Sequence, residues 1–121
     1  MKVVIADDSV LIREQLIALL STVKGLVISG VAENGIEAVR LVEDISPDLL
    51  VLDVLMPFKD GLETLEEIRR GKYHTVIVIH TADPSPQLRE ACFEAGADFF
   101  ISKGDFNRLV EICQVFISQR R

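Results

Sequence analysis

Cysteine is scarce in this sequence. Only Cys92 and Cys113 occur among 121 residues, with no CxxC pair and no histidine at metal-ligand spacing. Both cysteines fall in apolar patterns with helical spacing, so we interpret them as packed thiols. A chain of this length can bury a hydrophobic core large enough to fold without disulfide or metal staples. The scarcity of cysteine therefore argues against a zinc site built on thiolates.

Basic residues and long apolar runs are also in short supply. Lysine and arginine number 13 against 19 aspartates and glutamates, a net charge of −6 that repels a phosphate backbone. No apolar run approaches the roughly 20 residues that span a membrane, and Met1-Lys2 leads directly into a short apolar segment. We therefore expect no direct nucleic-acid partner, no membrane partner and a cytoplasmic location.

The remaining composition is that of an ordinary globular protein. Hydrophobic residues make up 49% of the chain and charged residues 26%. There is no repeat, low-complexity tract or linker-like segment. We therefore expect residues 1–121 to form a single domain.

Five short apolar runs predict strands. Because polar residues do not alternate within them, they are typical of strands covered on both faces. The runs lie at residues 3–6, 26–31 (the weakest), 49–52, 76–79 and 99–101.

Apolar stripes with helical spacing follow each of these runs. In the second stripe we expect Ile36, Val39 and Val42 to face the core. Residues typical of helix ends lie on either side of the stripes. Those at the starts are Ser9, Asp60 and Ser85, and those at the ends are Pro47, Gly71 and Gly96. Five strands alternating with five helices over short, right-handed connections form a doubly wound parallel sheet with helices on both faces. The predicted fold class is therefore α/β.

Polar residues stand where the predicted strands end. Asp7 and Asp8 follow the first strand, Asp53 follows the third, Thr81 lies near the end of the fourth and Lys103 near the end of the fifth. Open parallel sheets bind ligands outside the carboxyl ends of their strands. We therefore expect three carboxylates, a hydroxyl and an ammonium group to gather at one edge.

This set of groups indicates a particular chemistry. Three crowded carboxylates repel one another, which favours a raised pKa or a bound cation, and oxygen ligands suit Mg²⁺. Lys103 and Thr81 could hold an anionic tetrahedral group such as a phosphoryl group. Taken one at a time, each residue could equally be a solvated strand end or a helix cap.

The motifs together identify a family resemblance. They are Asp7-Asp8, Asp53-Val54-Leu55-Met56-Pro57 followed by Asp60-Gly61, Thr81-Ala82, and Lys103. In these motifs the chain resembles the response-regulator receiver domain of two-component signalling, from about Lys2 to the last helix. The resemblance implies a flavodoxin-like sheet with strand order 2-1-3-4-5.

The resemblance also implies a function. Asp53 would accept a phosphoryl group from a histidine kinase or phosphotransfer protein, with Mg²⁺ as cofactor, while Thr81 and Lys103 contact the phosphoryl oxygens. The implied metal ligands are Asp7 (usually through water), Asp8, Asp53 and the backbone carbonyl of Leu55. Phe100 stands at the family's switch aromatic, with plain core packing as the alternative. The chain would then be a signalling module, not an enzyme beyond self-catalysed phosphotransfer and dephosphorylation, which switches binding of an unidentified downstream protein.

Several alternatives stay open. The lysine of the family is usually followed by proline, but Gly104 follows Lys103 here, which leaves room for a degenerate receiver that binds a partner without phosphorylation. A second alternative is the receiver part of a longer DNA-binding regulator, although we expect a stand-alone form. A third is an aspartyl-nucleophile phosphatase, which needs an acid two residues after the nucleophile, where Leu55 stands.

His80, Met56-Pro57 and two pairs of arginines have structural interpretations. We expect His80, which precedes Thr81, to be a packed or surface residue with no phosphorelay role. Met56-Pro57 is interpreted as loop geometry beside Asp53. Arg69-Arg70 and Arg120-Arg121 are interpreted as charges at helix ends.

Overall fold

Ten elements alternate along the chain in a computed structural model that describes residues 1–56 and 60–119. They are β1 (Lys2–Ala6), α1 (Val10–Leu20), β2 (Val27–Ala32), α2 (Gly35–Ile45), β3 (Leu49–Leu52), α3 (Gly61–Arg70), β4 (Val76–Thr81), α4 (Pro86–Glu94), β5 (Phe99–Ser102) and α5 (Phe106–Gln119). The predicted alternation of five strands and five helices is confirmed. The interpretations of Pro57 and of Arg120-Arg121 lie outside the described residues.

The five strands form one parallel sheet in the order β2-β1-β3-β4-β5, which confirms the predicted order. Val3 pairs with Leu49, and Leu49 pairs with Val76, so the three central strands run in close register. The chain winds outward in one direction from β1 to β2 and in the other direction from β3 to β5. The winding reverses between β1 and β3, and ligands bind at such a switch point, next to the carboxyl ends of the strands.

Two apolar clusters form the core, one on each face of the sheet. Successive strand residues point to opposite faces, so Val4 and Leu50 face one cluster while Val3 and Leu49 face the other. Helices α2, α3 and α4 cover the first face, and α1 and α5 cover the second. The sheet is thus covered on both sides, as its apolar strands predict.

Both cysteines are buried free thiols, which confirms their interpretation as packed residues. Cys92 lies in the cluster under α2, α3 and α4, and Cys113 lies in the cluster under α1 and α5. Burial raises the pKa of each thiol to about 11. Neither group is a thiolate near neutral pH, so neither is a ready nucleophile or metal ligand.

Side-chain caps begin the helices near the carboxyl end of the sheet. Ser9 Oγ accepts a hydrogen bond from Ile12 N at 3.3 Å, and Ser85 Oγ accepts one from Leu88 N at 3.2 Å. Asp60 Oδ1 accepts one from Glu63 N at 2.8 Å. These bonds satisfy amides that the helices leave unpaired, and they confirm the three predicted starts.

The predicted core position of Ile36 is wrong, because its side chain is 52% exposed. The buried stripe of α2 starts one residue earlier, at Gly35, and continues with Ala38, Val39 and Val42. These positions follow the i, i+3, i+4, i+7 pattern from Gly35, and Ile36 lies 100° around the helix from it.

The prediction that every strand is covered on both faces is wrong for β2, whose Val27 and Val31 are exposed. This strand lies at one of the two edges of the sheet, so neighbouring elements cover it from fewer sides. Among the described residues, no helix combines the length and the apolar character needed to cross a membrane.

Candidate functional site

Three carboxylates meet at the switch point of the sheet. Asp7 follows β1 and Asp53 follows β3, and both are buried, whereas Asp8 is exposed. One oxygen from each carboxylate lies within 4.8 Å of the other two. Backbone bonds extend the strand pairing to these residues, because Asp53 N donates to Ala6 O at 2.9 Å and Asp7 N donates to Ala32 O at 3.1 Å. The sheet itself therefore positions the two buried acids.

Lys103 reaches this cluster from the end of β5. Its Nζ lies 3.0 Å from Asp53 Oδ2 and 3.1 Å from Asp7 Oδ2. The backbone of Lys103 is anchored too, because its amide donates to Thr81 O at 2.7 Å. Partial burial disfavours the ammonium, yet the two carboxylates outweigh that cost and raise the pKa of Lys103. The side chain is thus a cation held between two acids.

The Asp53 carboxylate is poised between opposing influences. Burial raises its pKa, the hydrogen bonds from Leu55 N and Lys103 lower it, and the charge on Asp7 raises it further. The net direction is upward, so the ionised form of Asp53 is less stable here than in water. Additional positive charge at this site would therefore stabilise the folded protein.

One oxygen of the cluster has unused acceptor capacity. Asp7 Oδ1 accepts from Ser9 N at 2.9 Å, and Asp53 Oδ1 accepts from Leu55 N at 3.0 Å. Asp7 Oδ2 is buried and accepts no aligned hydrogen bond within residues 1–56 and 60–119, although it makes the ion pair with Lys103. A set of carboxylate oxygens with a free buried lone pair fits a small, hard cation such as Mg²⁺.

Thr81 and Phe100 lie on the neighbouring strands. Thr81 is fully buried at the end of β4, and its Oγ1 accepts from Asp83 N at 3.2 Å, a bond that leaves the hydroxyl hydrogen available to donate. Phe100 is half-buried in β5, where it pairs with Ile79 and packs against the cluster under α2, α3 and α4. That contact agrees with core packing, and the switch role of Phe100 stays a prediction.

Glycines shape the loops on both sides of the site. A Cβ atom on Gly61 would lie 2.2 Å from Val54 Cα and 2.7 Å from Asp53 O, so only glycine lets α3 start against the segment that carries Asp53. Gly104 has a φ of +93°. Proline, with φ fixed near −65°, cannot adopt this conformation. Gly104 therefore gives the turn between β5 and α5 a backbone conformation that the proline common at this position in the family could not adopt.

Leu55 contributes through its backbone. Its N–H donates to Asp53 Oδ1, while its side chain is 55% exposed. An apolar, exposed group at this position cannot act as a general acid, which removes the residue that an aspartyl-nucleophile phosphatase requires. That the Leu55 carbonyl is a metal ligand stays a prediction.

Sequence analysis missed Arg13. Its Nη1 donates to Asp7 O at 2.8 Å, and its Nη2 lies 3.9 Å from Glu33 Oε2. The only signal in the sequence is a basic residue in the first turn of the helix that follows Asp7-Asp8. Such a residue reads as an ordinary polar position of an amphipathic helix.

His80 is buried, which agrees with the expectation of a packed residue. Its ring lies 6.1 Å from that of Phe106, and neither ring nitrogen has a hydrogen-bond partner in the described part of the chain. Burial, helped by the charge on Lys103, lowers the pKa of His80 to about 4. The ring is therefore neutral near pH 7.

Comparison with known families agrees with this geometry. The family model of the response regulator receiver domain matches residues 3–114. The chain belongs to this family. Receiver domains are signalling modules that bind Mg²⁺ at an acidic site and interact with histidine kinases and downstream proteins.

The relatives of this chain differ in length. It is 34% identical over 102 residues to the probable C4-dicarboxylate response regulator DctR of Bacillus subtilis (strain 168), which covers 84% of this chain and 45% of that protein. It is 33% identical over 102 residues to chemotaxis protein CheY of Halobacterium salinarum, covering 84% of this chain and 83% of that protein. The chain spans about half or less of the length of several relatives that it matches.

A solved structure shows the same fold with an ion. The receiver domain of a sensor histidine kinase from Pseudomonas aeruginosa PAO1 superposes with a TM-score of 0.85 at 26% identity, over 97% of both chains. That structure has a magnesium ion coordinated in its active site cleft.

Proposed function

We propose that this receiver accepts a phosphoryl group on Asp53 from a histidine kinase or phosphotransfer protein in an Mg²⁺-dependent reaction, and that phosphorylation changes its affinity for a downstream protein. The observation that carries the proposal is the position of the Asp53 carboxylate, buried at the switch point with Lys103 Nζ at 3.0 Å. Membership of the receiver family and the adjoining acids Asp7 and Asp8 support it.

The transfer itself asks little of the protein beyond position and charge. A carboxylate oxygen of Asp53 attacks the phosphorus of a phosphohistidine, so that an O–P bond forms while the N–P bond breaks. The electron pair of the broken bond goes to the imidazole nitrogen, which takes a proton from water. Asp53 is already ionised when it attacks, so no base is needed. Lys103 and the hydroxyl of Thr81 then donate to the phosphoryl oxygens.

Charge balance supports a divalent cation. Asp7, Asp8 and Asp53 carry three negative charges when ionised, and Lys103 offsets one of them. The three carboxylates and the carbonyl oxygen of Leu55 would hold Mg²⁺. When bound, the ion supplies positive charge against the acids and the incoming phosphoryl oxygens.

The signal would be carried by a shift between two conformations. Phosphorylation favours the form in which Thr81 contacts the phosphoryl oxygens, and it can bias the equilibrium only by contacts that one form makes and the other lacks. Phe100, packed beside Ile79 on the same strand pair as Thr81, would change its position with this shift. The surface that includes β5 would then bind the downstream protein with altered affinity.

The test is phosphorylation by acetyl phosphate and Mg²⁺, followed by intact-mass measurement. We expect the wild type to gain the mass of one phosphoryl group and Asp53→Asn to gain none. Asp60→Asn is the matched control, because Asp60 is an exposed helix cap whose oxygen asparagine can replace, and this variant should gain the group. A gain that persists in Asp53→Asn would contradict the assignment. No gain in the folded wild type would favour a degenerate receiver.

The extent of the whole protein remains a separate proposal. The DctR relative is about twice as long as its matched part, whereas the CheY relative is covered over 83% of its length. Both a stand-alone receiver and a receiver joined to a DNA-binding part are compatible with these relatives. The cytoplasmic location stays a prediction.

A further inference from the structure

The least supported carboxylate of the site is that of Asp8. Strand pairing holds the chain as far as Asp7 N, which in the described chain is the last amide after β1 that donates to the segment of β2. Asp8 follows in the turn before α1. Its direction therefore depends on the peptide group that joins Asp7 to Asp8.

That peptide group is held from the side by Arg13. The guanidinium Nη1 donates to Asp7 O, the carbonyl of this peptide, at 2.8 Å, and the arginine side chain is only 15% exposed. A second bond closes the same turn, because Ser9 N donates to Asp7 Oδ1 at 2.9 Å. The Ser9 bond holds the side chain of Asp7 and the Arg13 bond holds its carbonyl, so the Arg13 bond is the one that restrains the peptide leading to Asp8.

We infer that Arg13 is a positioning residue for the metal site, which holds the Asp7–Asp8 peptide so that the Asp8 carboxylate stays beside Asp7 and Asp53. This inference rests on the proposed function, because it concerns Mg²⁺ bound by those acids. Side chains that orient metal ligands commonly affect metal affinity by about 10- to 100-fold.

Charge alone predicts the opposite effect. Arg13 is a cation near a proposed cation site, so its removal would strengthen Mg²⁺ binding if it acted only through its charge. If it acts by positioning, its removal weakens binding. The contact with Glu33 is loose, at 3.9 Å, and the carboxylate is 63% exposed, so Glu33 contributes little to holding the guanidinium.

The experiment is Mg²⁺ titration by calorimetry of the wild type, Arg13→Met and Arg13→Lys. Methionine keeps the apolar stem of the side chain and removes the donors. We expect Arg13→Met to bind Mg²⁺ about tenfold more weakly or worse, and Arg13→Lys, which keeps a donor and the charge, to lie between. Glu33→Gln and Arg70→Met, an exposed arginine far along α3, should change the affinity less than about twofold.

A second readout separates positioning from simple loss of stability. Titrations are made where circular dichroism shows every variant to be folded. With acetyl phosphate, Arg13→Met should need about tenfold more Mg²⁺ for half-maximal phosphorylation, yet approach the wild-type rate at saturating Mg²⁺. A variant that was only less stable would show neither change once folded.

The outcomes are distinct. Mg²⁺ binding by Arg13→Met that is equal to or tighter than that of the wild type would overturn the inference and leave the proposed function standing. A wild type that binds no Mg²⁺ would overturn the proposed function itself. If Arg13→Met fails to fold, Arg13→Gln takes its place, because glutamine removes the charge and shortens the side chain. Wild-type Mg²⁺ affinity in Arg13→Gln would then overturn the positioning role.

Discussion

Two clusters of charged groups lie at opposite ends of the sheet, and they differ in how completely they are satisfied. At the amino ends of β4 and β5, Arg69 donates to Gly96 O at 2.9 Å, Tyr73 O at 3.1 Å, Thr75 O at 2.9 Å and Asp98 Oδ2 at 2.8 Å. The same Asp98 oxygen accepts from Ile77 N at 2.8 Å. Donors and acceptors match, and like charges do not meet.

The cluster at the carboxyl end of the sheet, called the carboxyl-end cluster, is incompletely satisfied. It consists of Asp7, Asp8, Asp53 and Lys103. Two carboxylates, those of Asp7 and Asp53, share Lys103. Burial raises the pKa of Asp53, and Asp7 Oδ2 has no aligned donor within the described residues. Buried polar groups are normally paired, and the exceptions concentrate where a protein binds something. The satisfied cluster therefore stabilises the fold by itself, whereas the unsatisfied cluster gains stability only when a ligand supplies the missing positive charge.

Removing the satisfied arginine should have the largest effect on stability. Arg69→Met leaves three carbonyls and Asp98 without their donor, so we expect the free energy of unfolding to fall by about 3 kcal/mol. Urea denaturation measures it. Arg70→Met is the matched control and should cost less than about 0.5 kcal/mol, because within the described residues Arg70 makes only an exposed pair with Glu66 at 4.0 Å. An equal loss of unfolding free energy in the two variants would show that the four bonds of Arg69 add no stability beyond that of an exposed arginine.

The free energy of unfolding should fall in acid because of His80, a buried base beside the carboxyl-end cluster. His80 takes up a proton near pH 6.5 when unfolded but only near pH 4 when folded, because burial lowers its pKa to about 4. Below pH 6.5 the unfolded chain binds more protons, so stability falls as the pH falls toward 4. At pH 5 the loss should be about 2 kcal/mol.

The measurement is the free energy of unfolding at pH 7.5 and pH 5 for the wild type and His80→Phe. The wild type should lose about 2 kcal/mol more than the variant over this range. His74→Gln, at an exposed histidine, should follow the wild type. Parallel curves for the wild type and His80→Phe would show that His80 does not titrate as its burial predicts.

Neutralising the unsatisfied cluster should have the smallest effect and the opposite sign. Without Mg²⁺, we expect Asp53→Asn to raise the free energy of unfolding by about 1 kcal/mol, because the amide removes a buried charge beside Asp7 while its oxygen can still accept from Leu55 N. The raised pKa means that the penalty exists when Asp53 is ionised, so the advantage of the variant should shrink as the pH falls.

Thermal unfolding with and without Mg²⁺ makes the comparison sharper. Mg²⁺ should raise the melting temperature of the wild type and have little effect on that of Asp53→Asn. The difference in melting temperature between the two proteins should therefore narrow or reverse. In the absence of Mg²⁺, Asp60→Asn should be no more stable than the wild type, because Asp60 is exposed and its charge is not buried. An Asp53→Asn variant less stable than the wild type in the absence of the ion would mean that the pair with Lys103 outweighs the burial of the charge.

Much of the architecture could be predicted from local pattern. Apolar runs located β1, β3, β4 and β5, and the caps Ser9, Asp60 and Ser85 located three helix starts, because these signals act over a few residues. The exposure of Ile36, Val27 and Val31 could not be predicted in the same way. It depends on which elements happen to cover the start of α2 and the edge strand.

The chain order of elements already decides that the residues after β1, β3 and β5 share one edge, since parallel strands bring their carboxyl ends together. Asp7, Asp53 and Lys103 could therefore be grouped from the sequence, and their spacing carried the family resemblance. Only the tertiary structure decided how that edge is supported. Arg69 binds Gly96 and Asp98, which lie far from it along the chain, and the bond from Arg13 to Asp7 O depends on how α1 packs against the end of β1. The burial of the His80 ring, whose nitrogens have no partner among the described residues, likewise depends on packing in three dimensions. Side-chain direction and burial are properties of the packed fold, and no local pattern of residues specifies them.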